Sequence, residues 1–396
     1  MSAHVLTLNA GSSSLKFGLF ETATEPKVLL TGLIERIGGQ PHLKATDARG
    51  APLESADLSP DQAADHHGAL EQVLDLLHRH FDGVVISAVG HRVVHGGPNY
   101  AAPMRLDRAV LDELDRFSPF APLHQPHNLE GVRAAMEAFP QAHQVACFDT
   151  AFHRGHPWVN DAFALPRSYY DKGVRRYGFH GLSYDYVSGE LKRLAPTLFS
   201  GRVVVAHLGN GASMCGLVNG RSVASTMGFS ALDGLPMGTR SGQLDPGVLL
   251  YLMDQEGMDP QQISDLLYKK SGLLGLSGLS NDMRTLEESG THEARQAIDY
   301  FVFRIRRELG GLAAALGGLD AVVFCGGIGE NSRALRQRVC ENMEWIGIEL
   351  DLERNDRNAQ MISSDFSRVH VMVIPTDEEI VIARAAQALL QQTFAS

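Results

Sequence analysis

Short apolar runs alternate with amphipathic stretches along this chain. Residues 5–8, 15–20 and 84–89 are apolar runs with the length and composition of buried strands. Apolar residues then recur at helical spacing over residues 70–81, which predicts a helix with one face on a sheet. Because strands that alternate with helices pair in parallel, the pattern predicts an α/β fold.

The second half of the chain repeats this alternation. Further strands are predicted at residues 143–148, 203–208, 320–325 and 368–374, and helices at 181–194, 246–255, 260–270, 292–316 and 378–391. Segments with neither pattern are predicted to be loops, at residues 47–59, 90–97, 151–179 and 225–245. Loops as long as the last two are usually functional.

The first predicted hairpin carries polar groups suited to phosphate. If the chain is extended after Gly11, Ser12, Ser14 and Lys16 point to one face, because side chains alternate with period two. Hydroxyls, backbone N–H groups and an ammonium on one face match phosphate oxygens. The alternative is a Ser-rich turn with a solvated lysine, because the Walker A pattern is absent.

A second hairpin has the same pattern half a chain length later. Asn9 and Gly11 correspond to His207 and Gly209 without a gap, and the matching segment continues through the following strand. One repeat at half the length is too long for a solenoid and predicts two related domains. Chance similarity between two glycine hairpins is the alternative interpretation.

Composition excludes several functional classes. The 396-residue chain has a formal net charge of −11, which argues against general nucleic-acid binding. Its four cysteines are scattered without a C-x-x-C pair, as expected for buried thiols in a reducing cytosol. We expect no signal peptide and no membrane span, because no apolar stretch is long enough.

Glycine turns and arginines indicate an anion site. Turns at residues 9–14, 207–211 and 326–331 follow predicted strands, at the sheet edge where α/β proteins bind ligands. Arg92 and Arg240 lie in glycine-bounded turns, and guanidinium matches carboxylate and phosphate oxygens. The glycines could instead serve tight strand–helix turns, and the arginines could form surface ion pairs.

Histidines and carboxylates are the other candidates for chemistry. The pairs His91/His95 and His124/His127 have spacings seen in metal sites, but they lack the H-E-x-x-H pattern, so zinc is disfavoured. His180 follows an aromatic, glycine-containing turn and is a candidate for polar contact with a reacting group, or a structural histidine. Asp149 at a strand end and Glu378 at a helix start could bind Mg²⁺ or a proton, although Glu378 could simply offset the helix dipole.

Eight motifs together resemble the acetate kinase family, in order and over nearly the whole chain. They are NAGSSSLKF (9–17), GHRVVHGG (90–97), FDTAFH (148–153), RYGFHG (176–181), HLGNG (207–211), MGTRSG (237–242), SNDMR (280–284) and GIGEN (327–331). The resemblance implies an α/β fold of two duplicated actin-like (ribonuclease H-like) domains with a nucleotide cleft between them. Residues 1–148 with 383–396 would form the first domain and 149–382 the second, in a cytoplasmic homodimer.

The resemblance also implies a reaction and a role for each matching residue. The reaction is acetate + ATP ⇌ acetyl phosphate + ADP, with Mg²⁺, or Mn²⁺ in its place. Asn9 and Glu378 match metal positions, and Asp149, His180 and Arg240 match catalytic ones. The acetate positions would be Arg92, Val94, Leu123, Phe179 and Ala231. The nucleotide positions would be Ser12, Ser14, Lys16, His207, Leu208, Gly209, Asn210, Gly211, Asp282, Met283, Arg284, Gly327, Ile328, Gly329, Glu330 and Asn331.

Three departures from the family pattern bear on specificity. Ala231 replaces a proline at the acyl pocket, which predicts a looser pocket and leaves the chain length of the acid open. Gln243 replaces an acidic residue, and Asp377 adds a carboxylate beside Glu378, which opens the question of cation preference. A propionate or butyrate kinase is therefore the alternative within the family, because one methylene is discriminated weakly. An actin-like assembly ATPase is the alternative from another class.

Overall fold

The chain forms two compact units. The structure, a computed structural model, describes residues 3–11, 13–81, 83–122 and 124–394. Unit 1 comprises residues 1–152 and 377–396, and unit 2 comprises residues 153–376. The units therefore divide four residues after the first predicted domain boundary and six residues before the second. The domain boundaries inferred from the resemblance remain a prediction.

The elements follow one another in the order of an α/β protein. The strands are β1 (His4–Ala10), β2 (Ser14–Glu21), β3 (Lys27–Glu35), β4 (His42–Asp47), β5 (Pro52–Asp57), β6 (Ile86–Val93), β7 (Met104–Arg105), β8 (His143–Phe148), β9 (Arg202–Leu208), β10 (Ala212–Val218), β11 (Arg221–Ser225), β12 (Ala321–Cys325) and β13 (His370–Val373). Short 3₁₀ turns lie at Pro60–Ala63, Ser118–Phe120, Ala151–His153 and Glu344–Ile346.

The helices cover the sheets and end the chain. They are α1 (His66–His80), α2 (Arg108–Asp115), α3 (Gln125–Ala138), α4 (Trp158–Asp161), α5 (Arg167–Asp171), α6 (Gly181–Leu194), α7 (Pro196–Phe199), α8 (Pro246–Asp254), α9 (Pro260–Lys269), α10 (Gly272–Ser277), α11 (Met283–Ser289), α12 (His292–Leu316), α13 (Gly326–Asn331), α14 (Arg333–Cys340), α15 (Leu352–Asp356) and α16 (Glu378–Phe394). The predicted helices 181–194 and 292–316 coincide with α6 and α12.

The two units share one strand order. In unit 1 the described strands form the sheet β5-β4-β3-β2-β1-β6-β8-β7, and in unit 2 they form the sheet β11-β10-β9-β12-β13. In each sheet an antiparallel meander (β1-β2-β3 or β9-β10-β11) is followed by two strands parallel to its first member. The predicted duplication is therefore visible as a common topology, in which β1 corresponds to β9.

Four local predictions are wrong. The predicted loop at residues 151–179 contains the short helices α4 and α5. Residues 90–93 belong to β6 and not to a loop, because Gly90, His91 and Arg92 pair in parallel with β8. The predicted loop at residues 47–59 contains β5, which pairs with β4. The third glycine turn is a short helix, since α13 begins at Gly326 directly after β12. The polar and glycine residues of these segments suggested loops. In the structure their backbone N–H and C=O groups are hydrogen-bonded in strands or helical turns.

Glycine lets the closing helix approach the sheet of unit 1. Helix α16 packs on β1, β6 and β8. A Cβ at Gly90 would lie 2.5 Å from a methyl group of Ile382, closer than real Cβ contacts. The other face of the sheet is covered by α1 and α3 around Leu6, Phe17 and Val73. The core therefore has a helix layer on each face, and the carboxyl edge of β1, β6 and β8 remains for function.

Candidate active site

Unit 1 places a guanidinium and a carboxylate at the carboxyl edge of its sheet. Arg92 is near the end of β6, and Asp149 follows β8 directly. Arg92 donates from Nε to Oδ1 of Asp149 at 2.9 Å and from Nη2 to Oδ2 at 2.7 Å. Burial lowers the pKa of Arg92, but the carboxylates of Asp149 and Glu378 outweigh burial and raise it. This bidentate pair holds the guanidinium in one orientation while 21 % of the Arg92 side chain stays exposed.

Two side-chain oxygens that could bind a metal ion lie beside this pair. The third guanidinium nitrogen, Nη1, donates to Oδ1 of Asn9 at 3.4 Å and lies 3.5 Å from Oε2 of Glu378. The amide nitrogen of Asn9 donates to the same carboxylate oxygen at 3.5 Å. An amide oxygen and a carboxylate are ligands that suit Mg²⁺, which usually takes one or two protein oxygens and completes its shell with water and phosphate. The residues present therefore fit a magnesium ion.

Lys16, a predicted nucleotide residue, is paired within unit 1. It lies opposite Asn9 in the β1–β2 ladder, and its ammonium donates to Oε2 of Glu379 at 2.6 Å. Burial raises the pKa of Glu379, and the ammonium of Lys16 lowers it by less. The Lys16 side chain is 50 % exposed, so the ion pair leaves the ammonium within reach of an anion.

The other predicted unit 1 residues are described only in part. Ser14 begins β2, and its carbonyl accepts from the N–H of Gly11 at 2.8 Å, which closes the hairpin turn. Val94 is buried, and its N–H donates to Oδ1 of Asn128 at 2.9 Å. Ser12 and Leu123 lie outside the described residues.

In unit 2, the predicted nucleotide segments surround one cavity. The cavity measures about 400 Å³ and is lined by Gly209, Asn210, Asp282, Met283, Arg284, Glu287, Gly327, Ile328, Asn331 and Ser332. These residues come from the turn after β9, from α11 and its cap, and from α13 and the residue that follows it. Pockets of this size hold small ligands. The tertiary structure therefore brings together three segments that are far apart in sequence.

Several residues around the cavity organise the backbone. Asp282 caps α11, where its carboxylate accepts from the N–H of Thr285 at 2.9 Å, and this bond lowers its pKa. Glu330 accepts from the N–H groups of Gly326 at 2.9 Å and Thr376 at 3.1 Å, and thus ties α13 to the turn after β13. Asn331 donates to the carbonyl of Gly327 at 2.8 Å. These contacts hold the cavity wall in place.

His180 directly precedes α6 and has a strained backbone. Its φ of 57° lies in the left-handed region that side chains other than glycine rarely adopt. Its ring stacks on His207 with centroids 4.4 Å apart, and its Nδ1 contacts the hydroxyl of Ser213 at 2.8 Å. Ser213 in turn contacts the hydroxyl of Tyr184 at 2.5 Å. The surrounding contacts therefore fix both the place and the plane of the His180 imidazole.

Arg240 lies beside the second glycine turn. Its Nη1 donates to the carbonyl of Ala231 at 3.2 Å, and a Cβ at Gly211 would lie 4.0 Å from Nη1 and 3.3 Å from Nε2 of His180. Gly238 donates its N–H to the carbonyl of Asn210 at 2.9 Å, and a Cβ there would lie 1.9 Å from the Asn210 side chain. Glycine at these turns allows the two loops to meet.

Phe179 is held by a histidine that sequence reasoning passed over. His153 donates from Nε2 to the Phe179 carbonyl at 2.9 Å, and its Nδ1 lies 2.7 Å from the hydroxyl of Ser222. Burial lowers the pKa of His153 to about 3, so it stays neutral and can serve both contacts. Phe179 itself is buried, and so is Ala231. His153 stood in a quoted motif, but no sequence signal linked it to Phe179.

The departures from the family pattern have structural partners. Gln243 accepts from the guanidinium groups of Arg304 at 2.8 Å and Arg307 at 3.0 Å, which anchors its loop on α12. Asp377 accepts from the N–H of Ile380 at 3.1 Å at the start of α16.

Sequence reasoning also missed Glu287 and Ser332 in the cavity wall, where the Ser332 hydroxyl donates to Glu287 at 2.6 Å. Glu287 lies one helical turn after Met283, so helical spacing could have indicated it.

Comparison with known proteins decides the family. The model of the acetokinase family matches residues 4–384. The chain belongs to the acetokinase family. An acetate kinase of Methylocella silvestris is 57 % identical over 404 residues that cover 100 % of both chains. One of Nitrobacter hamburgensis is 52 % identical, over 98 % of this chain and 96 % of the relative.

Solved structures of this family share the fold. The crystal structure of Porphyromonas gingivalis acetate kinase is 39 % identical, with a TM-score of 0.87 over 98 % of this acetokinase chain and 100 % of that one. A propionate kinase from Francisella tularensis is 36 % identical, with a TM-score of 0.90 and the same coverage. The duplicated actin-like α/β fold is thereby confirmed. Among the described residues, no helix combines the length and apolarity that a membrane crossing requires.

Proposed function

We propose that this chain transfers the γ-phosphoryl group of ATP reversibly to acetate, giving acetyl phosphate and ADP. The likeness to acetate kinases over the whole chain supports this reaction. The observation that carries it within the structure is the Arg92–Asp149 pair, an oriented guanidinium at the carboxyl edge of an α/β sheet. Such a group binds a small carboxylate, the acceptor that the reaction needs.

ATP binds in the unit 2 cavity. Glycine backbones of Gly209 and Gly327 let phosphates approach, and Arg284 adds positive charge at the wall. Two further predicted nucleotide residues, Ser14 and Lys16, lie in β2 of unit 1, where the Lys16 side chain is half exposed, and Ser12 is a third, outside the described residues. The cavity size and the chemistry of its wall support the assignment.

Acetate binds to Arg92, and Asp149 orients the Arg92 guanidinium. Because both oxygens of Asp149 accept from the guanidinium, this carboxylate serves as a positioning group and not as a proton acceptor. No strong base is needed, since acetate is already an anion at neutral pH. Val94, Leu123, Phe179 and Ala231 are the residues that the family resemblance assigns to the acetate methyl group.

His180 and Arg240 stabilise the phosphoryl group during transfer. Phosphoryl transfer depends on alignment and on neutralising negative charge, with little covalent participation by the protein. Arg240 supplies a fixed cation beside Gly211, and the stacked, hydrogen-bonded His180 supplies a fixed donor. Their fixed positions mean that little reorganisation is required during the reaction.

A divalent cation is the proposed cofactor, with Mg²⁺ in the first place and Mn²⁺ as a substitute. Asn9 and Glu378 would hold it through their side-chain oxygens. Such an ion neutralises phosphate charge and orients the phosphate chain. Glu378 also lies close to Arg92, so removal of its carboxylate would affect both the metal and the guanidinium.

A hydroxamate assay across small carboxylic acids tests the function. The purified chain is incubated with ATP, Mg²⁺ and formate, acetate, propionate or butyrate, and acyl phosphate is trapped with hydroxylamine. We expect acetyl hydroxamate with the highest kcat/KM, and none without ATP. ATP hydrolysis without hydroxamate would favour an assembly ATPase instead.

Propionate is the proposed second substrate. Ala231 stands where the family pattern has a proline, and it is buried against the Arg240 guanidinium. One methylene changes kcat/KM by roughly 10–200-fold in an apolar pocket. A preference for acetate over propionate above about 10³ would contradict a loose pocket. A higher kcat/KM for propionate than for acetate would identify the protein as a propionate kinase, the alternative activity.

A homodimer is the proposed assembly, in a reducing cytosol. Helix α8 has no buried residue, although it carries Val248, Leu250, Tyr251 and Met253, and Leu250 is 62 % exposed. Leu249 and Leu252 are half-buried, so the exposed apolar side chains share one side of the helix, and such a patch usually marks an interaction surface. We assign its occupant as a second copy of this chain, in keeping with the dimer that the family resemblance implies. The four cysteines are all buried free thiols, which supports the cytosolic location.

A further inference from the structure

Two histidines and a glutamate converge in unit 1, and none of them belongs to the proposed magnesium ligands. They are His66, the first residue of α1, with His127 and Glu130 in the first two turns of α3. One possible ligand atom from each lies within 4.8 Å of the other two. In the sequence His127 lies three residues after His124. In the fold its ring lies beside that of His66, because α1 packs on α3. This cluster has no part in the proposed phosphoryl transfer.

His66 is oriented as metal-binding histidines usually are. Its Nε2 donates to the carbonyl of Gly11 at 2.6 Å. A ligating histidine commonly donates its other ring N–H to a carbonyl, which fixes the tautomer and the ring orientation. With the proton on Nε2, Nδ1 carries the lone pair that a metal requires. His66 is 4 % exposed, so the surrounding residues set its orientation before any ion arrives.

The other two ligands can adjust to an ion. His127 and Glu130 side chains are 39 % and 52 % exposed, and they lie 3.9 Å apart, from Nδ1 to Oε2. The imidazole rings of His66 and His127 have centroids 5.7 Å apart. Zinc–ligand bonds of about 2.0–2.2 Å require donor atoms about 3.3 Å apart in a tetrahedron. Small rotations of two exposed side chains supply this change, and the exposure gives the ion a path.

We propose that His66, His127 and Glu130 form a binding site for a transition metal of the zinc class. Two imidazole nitrogens and one carboxylate, with an open fourth position for water, match the donors that Zn²⁺, Co²⁺ and Ni²⁺ take. Mg²⁺ prefers oxygen ligands, so a site with two imidazole nitrogens disfavours it. The site is thus chemically distinct from the oxygen pair Asn9 and Glu378.

The site is also linked to the first hairpin turn. His66 holds the carbonyl of Gly11, and the N–H of Gly11 closes the turn on Ser14. An ion on Nδ1 polarises the imidazole and strengthens the donation from Nε2. Occupancy therefore stiffens the turn that carries Ser14 and Lys16. This second statement rests on the proposed function, because it predicts a change in ATP affinity.

Calorimetric titration of the metal-free chain with Zn²⁺ at about pH 7.5 tests the site itself, since neutral imidazole is the ligand. The wild type is compared with His127→Ala, with Glu130→Gln and with a control, His67→Ala. His67 is an exposed histidine next to His66, paired with Glu71 and outside the cluster. We expect one tight equivalent in the wild type and in His67→Ala, and a loss of about tenfold or more in His127→Ala and Glu130→Gln.

Visible absorption of bound Co²⁺ provides a second readout. A tetrahedral spectrum is expected in the wild type and lost in His127→Ala. Equal Zn²⁺ affinity in the wild type and His127→Ala would overturn the site, as would the absence of a tight equivalent. Neither outcome depends on catalysis, so neither bears on the acetate kinase proposal.

Kinetics under excess Mg²⁺ test the link to the turn. Zn²⁺ is expected to change the KM for ATP at least twofold in the wild type and in His67→Ala, and to leave it unchanged in His127→Ala. An unchanged KM in a wild type that has bound the ion would overturn the coupling to Gly11. A chain that binds Zn²⁺ but makes no acetyl phosphate would instead refute the proposed function and keep the metal site.

Discussion

At the scale of single residues, the partner of a side chain decides what it can do. Arg92 and Lys16 are both cations in quoted motifs, but their structural partners differ. Arg92 is locked by two oxygens of Asp149, whereas Lys16 is half exposed and bound to one oxygen of a buried Glu379. Under the proposed function, the oriented guanidinium of Arg92 binds acetate and the half-exposed ammonium of Lys16 binds phosphate oxygens.

Arg240→Ala should lower kcat far more than it weakens ATP binding. Arg240 lies beside Gly211 and His180, where a transferring phosphoryl group would gain charge. Loss of a donor to developing charge costs about 10²–10³ in kcat. Steady-state kinetics with varied ATP measure both constants. Arg284→Ala, in the cavity wall, is the control, and it should raise the KM for ATP with a smaller change in kcat. An unchanged kcat in Arg240→Ala would remove this residue from the mechanism.

Buried neutral histidines should make the protein sensitive to acid. Burial lowers the pKa of His91 to about 4, and its Nε2 bonds to Gln144 at 2.8 Å. The unfolded chain binds this proton at higher pH than the folded one does, so stability falls as pH drops below the ordinary pKa of histidine. His91 alone should lower the free energy of unfolding by about 2 kcal/mol between about pH 7 and pH 5.

Urea unfolding at these two pH values checks the expectation. His91→Gln retains a donor to Gln144 but has no titrating group, so its loss of stability on acidification should be smaller than that of the wild type. Equal losses in both proteins would show that the imidazole of His91 does not contribute. His153 and His156, with pKa values lowered by burial to about 3 and about 4, account for part of the remaining slope.

At the scale of elements, helix starts organise the wall of the unit 2 cavity. Helix α11 begins behind the Asp282 cap, and α13 begins directly after β12 without an intervening loop. Gly326 makes this junction possible, since its φ is +74° and a Cβ would lie 2.7 Å from the carbonyl oxygen of Leu208. The backbone path, more than any side chain, therefore sets the shape of the cavity wall.

Asp282→Ala should separate capping from nucleotide binding. Loss of an N-cap costs about 1 kcal/mol in stability. Asp245 is the matched control, because it caps α8 in the same way but lies outside the cavity wall. Both alanine variants should lose similar stability in thermal unfolding, but only Asp282→Ala should raise the KM for ATP. A similar KM in both variants would refute a role of the α11 start in binding.

At the scale of the whole molecule, duplication accounts for the two sheets. Each unit has the same central strand order, and unit 1 adds β4 and β5 at one edge and β7 at the other. The two hairpins differ in chemistry, since β1 ends near the Arg92–Asp149 pair and β9 near the unit 2 cavity. One architecture thus serves a carboxylate in one unit and a nucleotide in the other, under the proposed function.

Leu250→Glu should weaken the proposed dimer. The side chain is exposed in a helix without buried residues, so a charge there should not disturb the fold of one copy. Light scattering after size exclusion should show a dimer for the wild type and a shift to monomer for the variant. Phe366→Glu is the control, because Phe366 is 88 % exposed but lies far from α8 along the chain. A variant dimer as stable as that of the wild type would exclude α8 from the interface.

The sequence by itself determined the fold class, most long helices and the kinds of residue in the site. Periodicity found α6 and α12 to the residue, because a helix must present an apolar face every turn. The repeat of the glycine hairpin predicted the duplication, and the ordered motifs predicted the family. Periodicity, the repeat and the motifs can all be seen in the order of residues along the chain, so these predictions need no knowledge of distant contacts.

Only the tertiary structure decided which side chains meet. The sequence could not show that Arg92 extends β6, that Lys16 binds Glu379, or that His153 holds Phe179, because these partners are brought together by strand pairing and packing. Nor could it show that His66 and His127, which lie at the starts of different helices, are close together. Contacts between residues far apart in the chain depend on register and helix placement, and these are set by the free energy of the whole fold and not by any one segment.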